Sequence, residues 1–428
     1  MQAPRKRIAV IGAGISGLGS AYLLNRHHDV VLFEAGSYLG GHANTVDIEL
    51  GGQRCAVDTG FLVYNEQTYP NLIALFAELG VDSIASDMSF AVSMDDGALE
   101  WAGTNLDTVF AQRRNAASPR FLRMLRDIMH FNGRAAEFLA RCTADGATLG
   151  QLLASQRYGT LFRDAYLLPM AAAIWSSSPR DILGFPAATF LRFCLNHGLL
   201  QINDRPQWRT VLGGSRNYVR AIAATLPDCR LATPVRSVQR TDGRVTVVSG
   251  AHGQAEIFDA VVFATHAPTT LALLADAGAR ERALLGAVRY QPNTAWLHTD
   301  ASLMPRRRKV WAAWNYLSTT QADGSHPVCV SYWLNQLQSL PVREPVIVTL
   351  NPPEPPAAAS VLARFEYEHP IMDQPAIDAQ QALEQIQGNG GLWYAGAWTG
   401  YGFHEDGLKS ALRIAAAFDA APPWSTLP

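Results

Sequence analysis

The feature that most constrains this chain is a glycine turn between two apolar runs near its start. Ile8-Ala9-Val10-Ile11 leads into Gly12-Ala13-Gly14-Ile15-Ser16-Gly17, and Asp29-Val30-Val31-Leu32-Phe33-Glu34 follows. The short apolar runs predict buried strands, and the stretch from about Ile15 to Arg26 predicts the helix between them. Each glycine has its own task. Gly12 permits the turn, Gly14 lets a pyrophosphate reach the backbone, and Gly17 lets the helix pack closely. Ile15 and Ser16 open the helix, whose free N–H groups and partial positive charge suit a phosphate. Glu34 stands twenty residues after Gly14, within reach of a ribose diol. Its carboxylate would repel a 2′-phosphate, which argues against NADP. Strand, turn, helix, second strand and acid stand in register, so the stretch predicts a bound dinucleotide. Arg5-Lys6-Arg7 before an apolar run also has the form of a secretory signal. The glycines interrupt that run and no cleavage site precedes a fresh domain start, so export is not expected.

The chain has 428 residues, which predicts two domains. Hydrophobic residues make up 48% and charged residues 17%, which points to a large core or an apolar cavity. The net charge of −2 gives no pull toward nucleic acid. No apolar run reaches the ~18 residues that span a bilayer; Tyr166–Trp175 is short and holds Pro169. Cys55, Cys142, Cys194, Cys229 and Cys329 are odd in number, scattered and without a CxxC pair. They read as free, buried thiols in a reducing compartment, and no metal site is expected. No repeat with a solenoid period is visible.

Further along come Ala35, Gly40-Gly41-His42, and two strand-like runs, Thr45–Leu50 and Gln53–Val57, joined by Gly51-Gly52 as a hairpin. Asp58-Thr59-Gly60-Phe61 follows. A helix from about Tyr69 to Leu79 sets Leu72, Leu75, Phe76 and Leu79 at helical spacing. At the other end, Leu392-Trp393-Tyr394-Ala395-Gly396-Ala397-Trp398 runs on through Tyr401, His404 and Glu405-Asp406-Gly407-Leu408. This part reads as strand, glycine turn, loop and closing helix. An acid ending strand two, a Gly-Gly pair, an Asp-x-Gly stretch and this closing segment resemble the flavin-containing amine oxidase superfamily. That superfamily includes phytoene-desaturase-like and protoporphyrinogen-oxidase-like enzymes. The resemblance covers nearly the whole chain, with one departure: His42 stands where the family usually has Arg, a titratable ring for an always-charged fork.

The resemblance implies an α/β fold: a Rossmann-type FAD-binding domain with a discontinuous α+β substrate domain inserted. Residues 1–85, 206–275 and 385–428 would form the first, and 86–205 and 276–384 the second. It implies FAD held at Gly12, Gly14, Ile15, Ser16 and Gly17, at Glu34 and Ala35, and at Gly40, Gly41 and His42. Thr59, Gly60 and Phe61 join them, as do Val235 beside the adenine and Ala264 under the cofactor. At the C-terminal end Gly396, Ala397, Glu405, Asp406, Gly407 and Leu408 complete the set. The last helix would start near Asp406 or Gly407, capped by Asp406. Its N-terminus would stabilise charge on the pyrimidine edge of the reduced flavin. No cysteine lies in Gly396–Gly407 to tether the ring, so the FAD is expected to be non-covalent.

Between the two flavin segments, Ser86–Arg205 reads as mostly helical, with Phe121–Cys142 as one long amphipathic pattern and Arg113–Pro119 as a loop or helix start. The small and apolar residues of Tyr166–Phe193 suit either core packing or a lipid-sized tunnel. Pro206–Ser215, with its Gly213-Gly214 pair, leads back to the flavin part, and Leu231–Val238 reads as a strand. Arg244–Val248 and Ala255–Phe258 form a hairpin pair, and Asp259–Pro268 a buried strand ending in a loop. Thr294–Thr299, Val310–Tyr316, Val328–Trp333 and Val346–Leu350 read as strands of the substrate domain. Trp314 and Tyr316 share a strand face, turned either to the flavin or under helices. Met304-Pro305-Arg306-Arg307-Arg308-Lys309 is a solvated turn or a patch for anionic lipid head groups. Asn351–Pro356 is a stiff connector.

One dinucleotide fingerprint and no second one leave no place for a nicotinamide domain. The expected chemistry is hydride transfer from a substrate C–H to flavin N5, with reoxidation by oxygen or another acceptor. The pattern looks closest to a lipid-associated bacterial group, which implies an apolar, fatty-acyl substrate of methyl-branched or cyclopropane type. Were a base needed, His404 comes first, then Tyr401 and His42. An amine oxidase making imine and peroxide, a fatty-acid double-bond isomerase and a flavin-binding module without turnover remain as alternatives. The expected location is the cytoplasm, with room for peripheral contact at the inner membrane surface. The oligomeric state stays open.

Overall fold

A computed structural model describes residues 4–319 and 329–424. Arg7–Ile11 and Asp29–Phe33 form parallel neighbouring strands, joined through the helix Ile15–Leu24. Residues Ile8 to Ile11 and Val30 to Phe33 are all buried. Continuous apolar runs of this kind suit a parallel sheet covered on both faces. The sheet has five strands, in the order Cys229–Arg230, Asp29–Phe33, Arg7–Ile11, Ala260–Phe263 and Leu392–Tyr394. Segments from both ends of the chain therefore share one sheet.

The helix Ile15–Leu24 crosses the closing helix His404–Ala417 at very short range. A methyl group on Gly19 would lie 3.0 Å from Leu408 Cδ1, and one on Gly407 only 2.7 Å from Ile15 Cγ2. Glycine at both positions lets the two backbones approach.

A second sheet has seven strands. Their order is Val361–Pro370, Tyr290–His298, Ile347–Leu350, Cys329–Trp333, Trp314–Ser318, Phe90–Met94 and Leu99–Ala102. Neighbours run antiparallel except Trp314–Ser318 beside Phe90–Met94. Helices between Pro119 and Asn196 pack on it, and Phe121, Phe131, Phe138, Phe162 and Phe190 are buried in that shared core.

Several expectations change. Ser86–Arg205 opens with two strands that pair with each other, and the other partner of Phe90–Met94 lies more than two hundred residues away. Phe121–Cys142 is two helices, Pro119–Gly133 and Ala135–Asp145, broken at Arg134, where φ is −108° and ψ 7°. Gly133, a poor helix former, sits at that break. The strand expected from Leu231 begins only at Val235, after Ala232 in a left-handed turn at φ 47°. In Val310–Tyr316 the strand begins at Trp314, because Arg308–Val310 forms a tight turn and the Asn315 side chain ties back to Ala312. Val328 lies outside the described residues, and its strand is described from Cys329. The ten-residue strand Val361–Pro370, which follows the proline-rich connector, was not expected.

The cation run is an exposed turn whose charges are paired, so it is not an open patch. Arg306 pairs with Asp96 and Lys309 with Asp107, while Arg307 Nη1 lies 2.7 Å from Glu100 Oε2. Arg308 stacks over Trp311 and Trp333. Glu100 is fully buried and also accepts the Arg306 and Arg307 backbone N–H groups and the Ser93 hydroxyl. Among the described residues no helix is long and apolar enough to cross a membrane.

Glu100→Ala removes the acceptor for two backbone donors and one guanidinium. It should lower stability by about 2–4 kcal/mol, read as a drop in the thermal midpoint, and Glu100→Gln should cost less.

Candidate active site

A cavity of about 510 Å³ lies where the parallel strands end. Ligands of open α/β sheets bind at this edge. Ile11 to Ser16, Phe33 to Ala35, Ala264 to His266 and Gly396 to Trp398 line one side of it. Tyr290, Trp314, Tyr332, Leu350 and Tyr367 to Pro370, from the seven-stranded sheet, line the other.

The glycine turn has the shape a phosphate needs. Gly12 has φ +98°, and a Cβ there would lie 2.8 Å from the Ala264 carbonyl oxygen. A Cβ on Gly17 would lie 1.8 Å from the Gly12 carbonyl oxygen, so that glycine serves packing rather than the cavity wall. At Gly14 nothing stands within 4 Å of a Cβ position. The helix after it has no side-chain cap, so its first N–H groups stay available. Glu34 braces the turn, accepting the Ala13 N–H at 2.8 Å and the Gly36 N–H at 2.7 Å. Gly40 donates to the Ala13 carbonyl at 2.8 Å, and a Cβ on Gly41 would lie 3.2 Å from Gly14 Cα. The Gly40-Gly41 loop therefore rests on the fingerprint turn and delivers His42 into the cavity wall. Thr59, Gly60, Phe61, Val235, Ala264, Gly396 and Ala397 also line the cavity.

His42 stacks on Tyr367 with centroids 4.9 Å apart and lies 5.2 Å from the His369 ring. Its Nε2 is buried and has no partner. Burial, and then the neighbouring His369, His266 and His404, hold its pKa well below the usual imidazole value. His369 Nδ1 lies 2.8 Å from Asn293 Nδ2. Asn293 also donates to the Gln291 carbonyl and accepts from Asn351, which fixes its amide and presents N–H to His369. His369 Nδ1 is then the acceptor and Nε2 carries the proton. Burial pushes this imidazole down to about 4. His266 pairs with Glu368 at 3.0 Å and stacks on Tyr290; burial lowers its pKa against the pull of Glu368.

His404 is the first residue of the closing helix. Its ring stacks on Phe61 at 3.6 Å and its Nε2 lies 3.0 Å from the Tyr218 hydroxyl. Burial drops its pKa to about 3. Tyr401 lines the cavity; burial raises its pKa, and Arg192 opposes that rise. A base works best with a pKa near the working pH. His404 and His369 lie far below that, so they serve as neutral hydrogen-bonding and stacking groups.

The structure takes the remaining sequence candidates away from the cavity. Glu405 accepts from the Asn71 N–H, Asn71 Nδ2 and the Leu72 N–H, so it caps the helix Pro70–Leu79. The closing helix starts at His404, not Asp406, because the Asp406 side chain reaches back to the Phe403 N–H at 3.0 Å. Gly407 and Leu408 pack on the fingerprint helix. Tyr316 is buried in the core, while Trp314, on the same strand face, lines the cavity. Sequence reasoning missed Tyr367 and His369. The alternation of Phe365, Tyr367 and His369 with Arg364, Glu366 and Glu368 was the available signal.

The family model described as flavin containing amine oxidoreductase matches residues 15–342. A carotenoid phi-ring synthase of Chlorobaculum tepidum is 31% identical over 128 residues, which is 28% of this chain and only 20% of that enzyme's length. A solved fatty acid isomerase from P. acnes, described as CLA-producing, shares the fold with a TM-score of 0.68 at 15% identity, covering 96% of this chain and 98% of that one. Cyclohexylamine oxidase from Brevibacterium oxydans IH-35A shares it with a TM-score of 0.66 at 17% identity, covering 97% and 100%.

Two outcomes should follow. Gly14 has φ −70° and open space beside it, so Gly14→Ala should keep the thermal midpoint and lose bound flavin. Gly17→Ala should lose both. In acid, the buried imidazoles bind fewer protons than in the unfolded chain, whose histidines titrate near ~6.5. Their stabilisation is complete above that pH and is lost as pH falls toward about 4 for His369 and about 3 for His404. Asp406, pushed up to about 6 by burial, acts in the opposite sense. Melting curves across this range should therefore be flatter for His369→Gln, by about 1.4 kcal/mol per pH unit.

Proposed function

The chain belongs to the flavin containing amine oxidoreductase family and is an FAD-dependent oxidoreductase; we infer that its substrate is an apolar lipid of fatty-acyl type, which it dehydrogenates. One observation carries this reading: among the described residues no lysine or arginine lines the cavity, and the two acids that do are engaged, Glu34 by backbone N–H groups and Glu368 by His266. An ammonium group would enter without a free carboxylate to meet it, and an unpaired buried charge is costly. An acyl chain would meet Met88, Ile174, Trp175, Phe193, Leu199 and Leu350. The names of the carotenoid and fatty-acid relatives lean the same way.

When bound, FAD supplies the acceptor for a hydride equivalent from a substrate C–H bond. The chain's own part is to hold, orient and dry. Gly12, Gly14, Ile15 and Ser16 suit the pyrophosphate. Glu34 suits the ribose, and Val235 the adenine. His42, Phe61, Ala264, Gly396 and Ala397 suit the inner part of the cofactor. Among the described residues no cysteine lines the cavity to attach the ring, and His42 and His404 are each held in a stack. Non-covalent FAD fits this arrangement. The flavin part would comprise 1–85, 206–275 and 385–428, and the rest would form the substrate part. A cytoplasmic place with access to membrane lipid fits the substrate.

Anaerobic mixing tests the reading. Fatty-acyl phospholipid should bleach the flavin absorbance of the purified holoenzyme, and amines should not. Bleaching by amines alone, with peroxide on admitting air, would overturn it in favour of an amine oxidase. A shifted double bond without net bleaching would make the protein an isomerase.

A further inference from the structure

We propose that Trp314 and Tyr332 close the far end of the cavity and set the length of acyl chain the enzyme accepts, an inference that rests on the lipid reading above. Strand register places the two rings. Trp314 pairs with Tyr332, and Tyr332 with Val348. Leu350, two residues beyond Val348, pairs with Ala295, which pairs with Phe365. Residues two apart or directly paired share a sheet face. Trp314, Tyr332, Leu350, Tyr367 and His369 therefore share one face and form a diagonal row across it, and all five line the cavity.

The row ends at Trp314. The next strand, Phe90–Met94, pairs with Trp314–Ser318, yet none of its residues reaches the cavity; only Met88, just before it, does. The Trp314 and Tyr332 rings meet edge to face, with centroids 4.8 Å apart at 86°. The Tyr332 hydroxyl faces Ser176, a cavity residue in the left-handed region at φ 51°. Ser176 ends the helix Leu168–Trp175, so the end wall stands against the end of that helix. The Trp314 indole N–H has no partner, so packing alone fixes that ring.

Four strand spacings of ~4.8 Å, with the ~13 Å offset along the strand from Ala363 to Tyr367, put Trp314 roughly 23 Å from Tyr367. A fully extended chain advances ~1.2 Å per bond. After allowance for the rings at each end, the row holds on the order of fifteen carbon–carbon bonds.

The test uses oxidised holoenzyme and a homologous series of saturated fatty acid methyl esters delivered from cyclodextrin. Calorimetric affinity should rise about four-fold per added CH₂ until the row is full, then stop rising. Trp314→Ala should move that break to chains longer by about four carbons. Trp314→Phe, which keeps a ring and protects the fold, should move it less. Leu350→Phe, midway along the row, should move it to shorter chains. An unmoved break in variants with wild-type melting temperature overturns the proposal, even if the esters bleach the flavin anaerobically. A break that moves while no ester bleaches the flavin upholds the end wall and overturns the dehydrogenase reading. Esters that do not bind at all overturn both.

Discussion

Two helices cross where neither can carry a larger side chain. Gly19 lies against Leu408 and Ala411, and Gly407 against Ile15 and Ser16. This contact brings the closing helix beside the fingerprint turn and sets His404 into the cavity wall. It also carries Glu405 to the start of the Pro70–Leu79 helix, where the carboxylate takes up three donors. Early and late parts of the chain are therefore joined twice within a few residues, once by packing and once by hydrogen bonds. The rest of the cavity takes its position from that joint.

The interior so enclosed is mainly apolar, with four weakly basic imidazoles set into its wall. His42, His266, His369 and His404 gather around it, and burial leads the downward shift of each. Each ring has a defined neighbour: Tyr367, Tyr290, Asn293 or Phe61. Such a wall orients a ligand through stacking and directed N–H groups. Negative charge developing on a bound group would find its nearest formal compensation outside the wall, so backbone dipoles carry more of the work.

The flavin segments were legible because their meaning is local. Glycine spacing, a strand-ending acid and a Gly-Gly pair act within a few residues of one another. Other features depended on partners far along the chain. The Arg306–Lys309 run looked free because Asp96, Glu100 and Asp107 precede it by about two hundred residues. The hairpin of Phe90–Met94 and Leu99–Ala102 joins the larger sheet through Trp314–Ser318. The low basicity of His404 comes from burial, which no spacing reveals. Val361–Pro370 could have been read from its alternation, but the prolines before it suggested a connector instead.

The five-stranded sheet has a consequence for synthesis of the protein. Its central strands, Arg7–Ile11 and Asp29–Phe33, leave the ribosome first, while the edge strand Leu392–Tyr394 is made almost four hundred residues later. Pairing over such a separation is slow and leaves apolar edges open in the meantime. The edges of the early strands stay open until Cys229–Arg230 and Ala260–Phe263 are made, and the edge of Ala260–Phe263 until Leu392–Tyr394 follows.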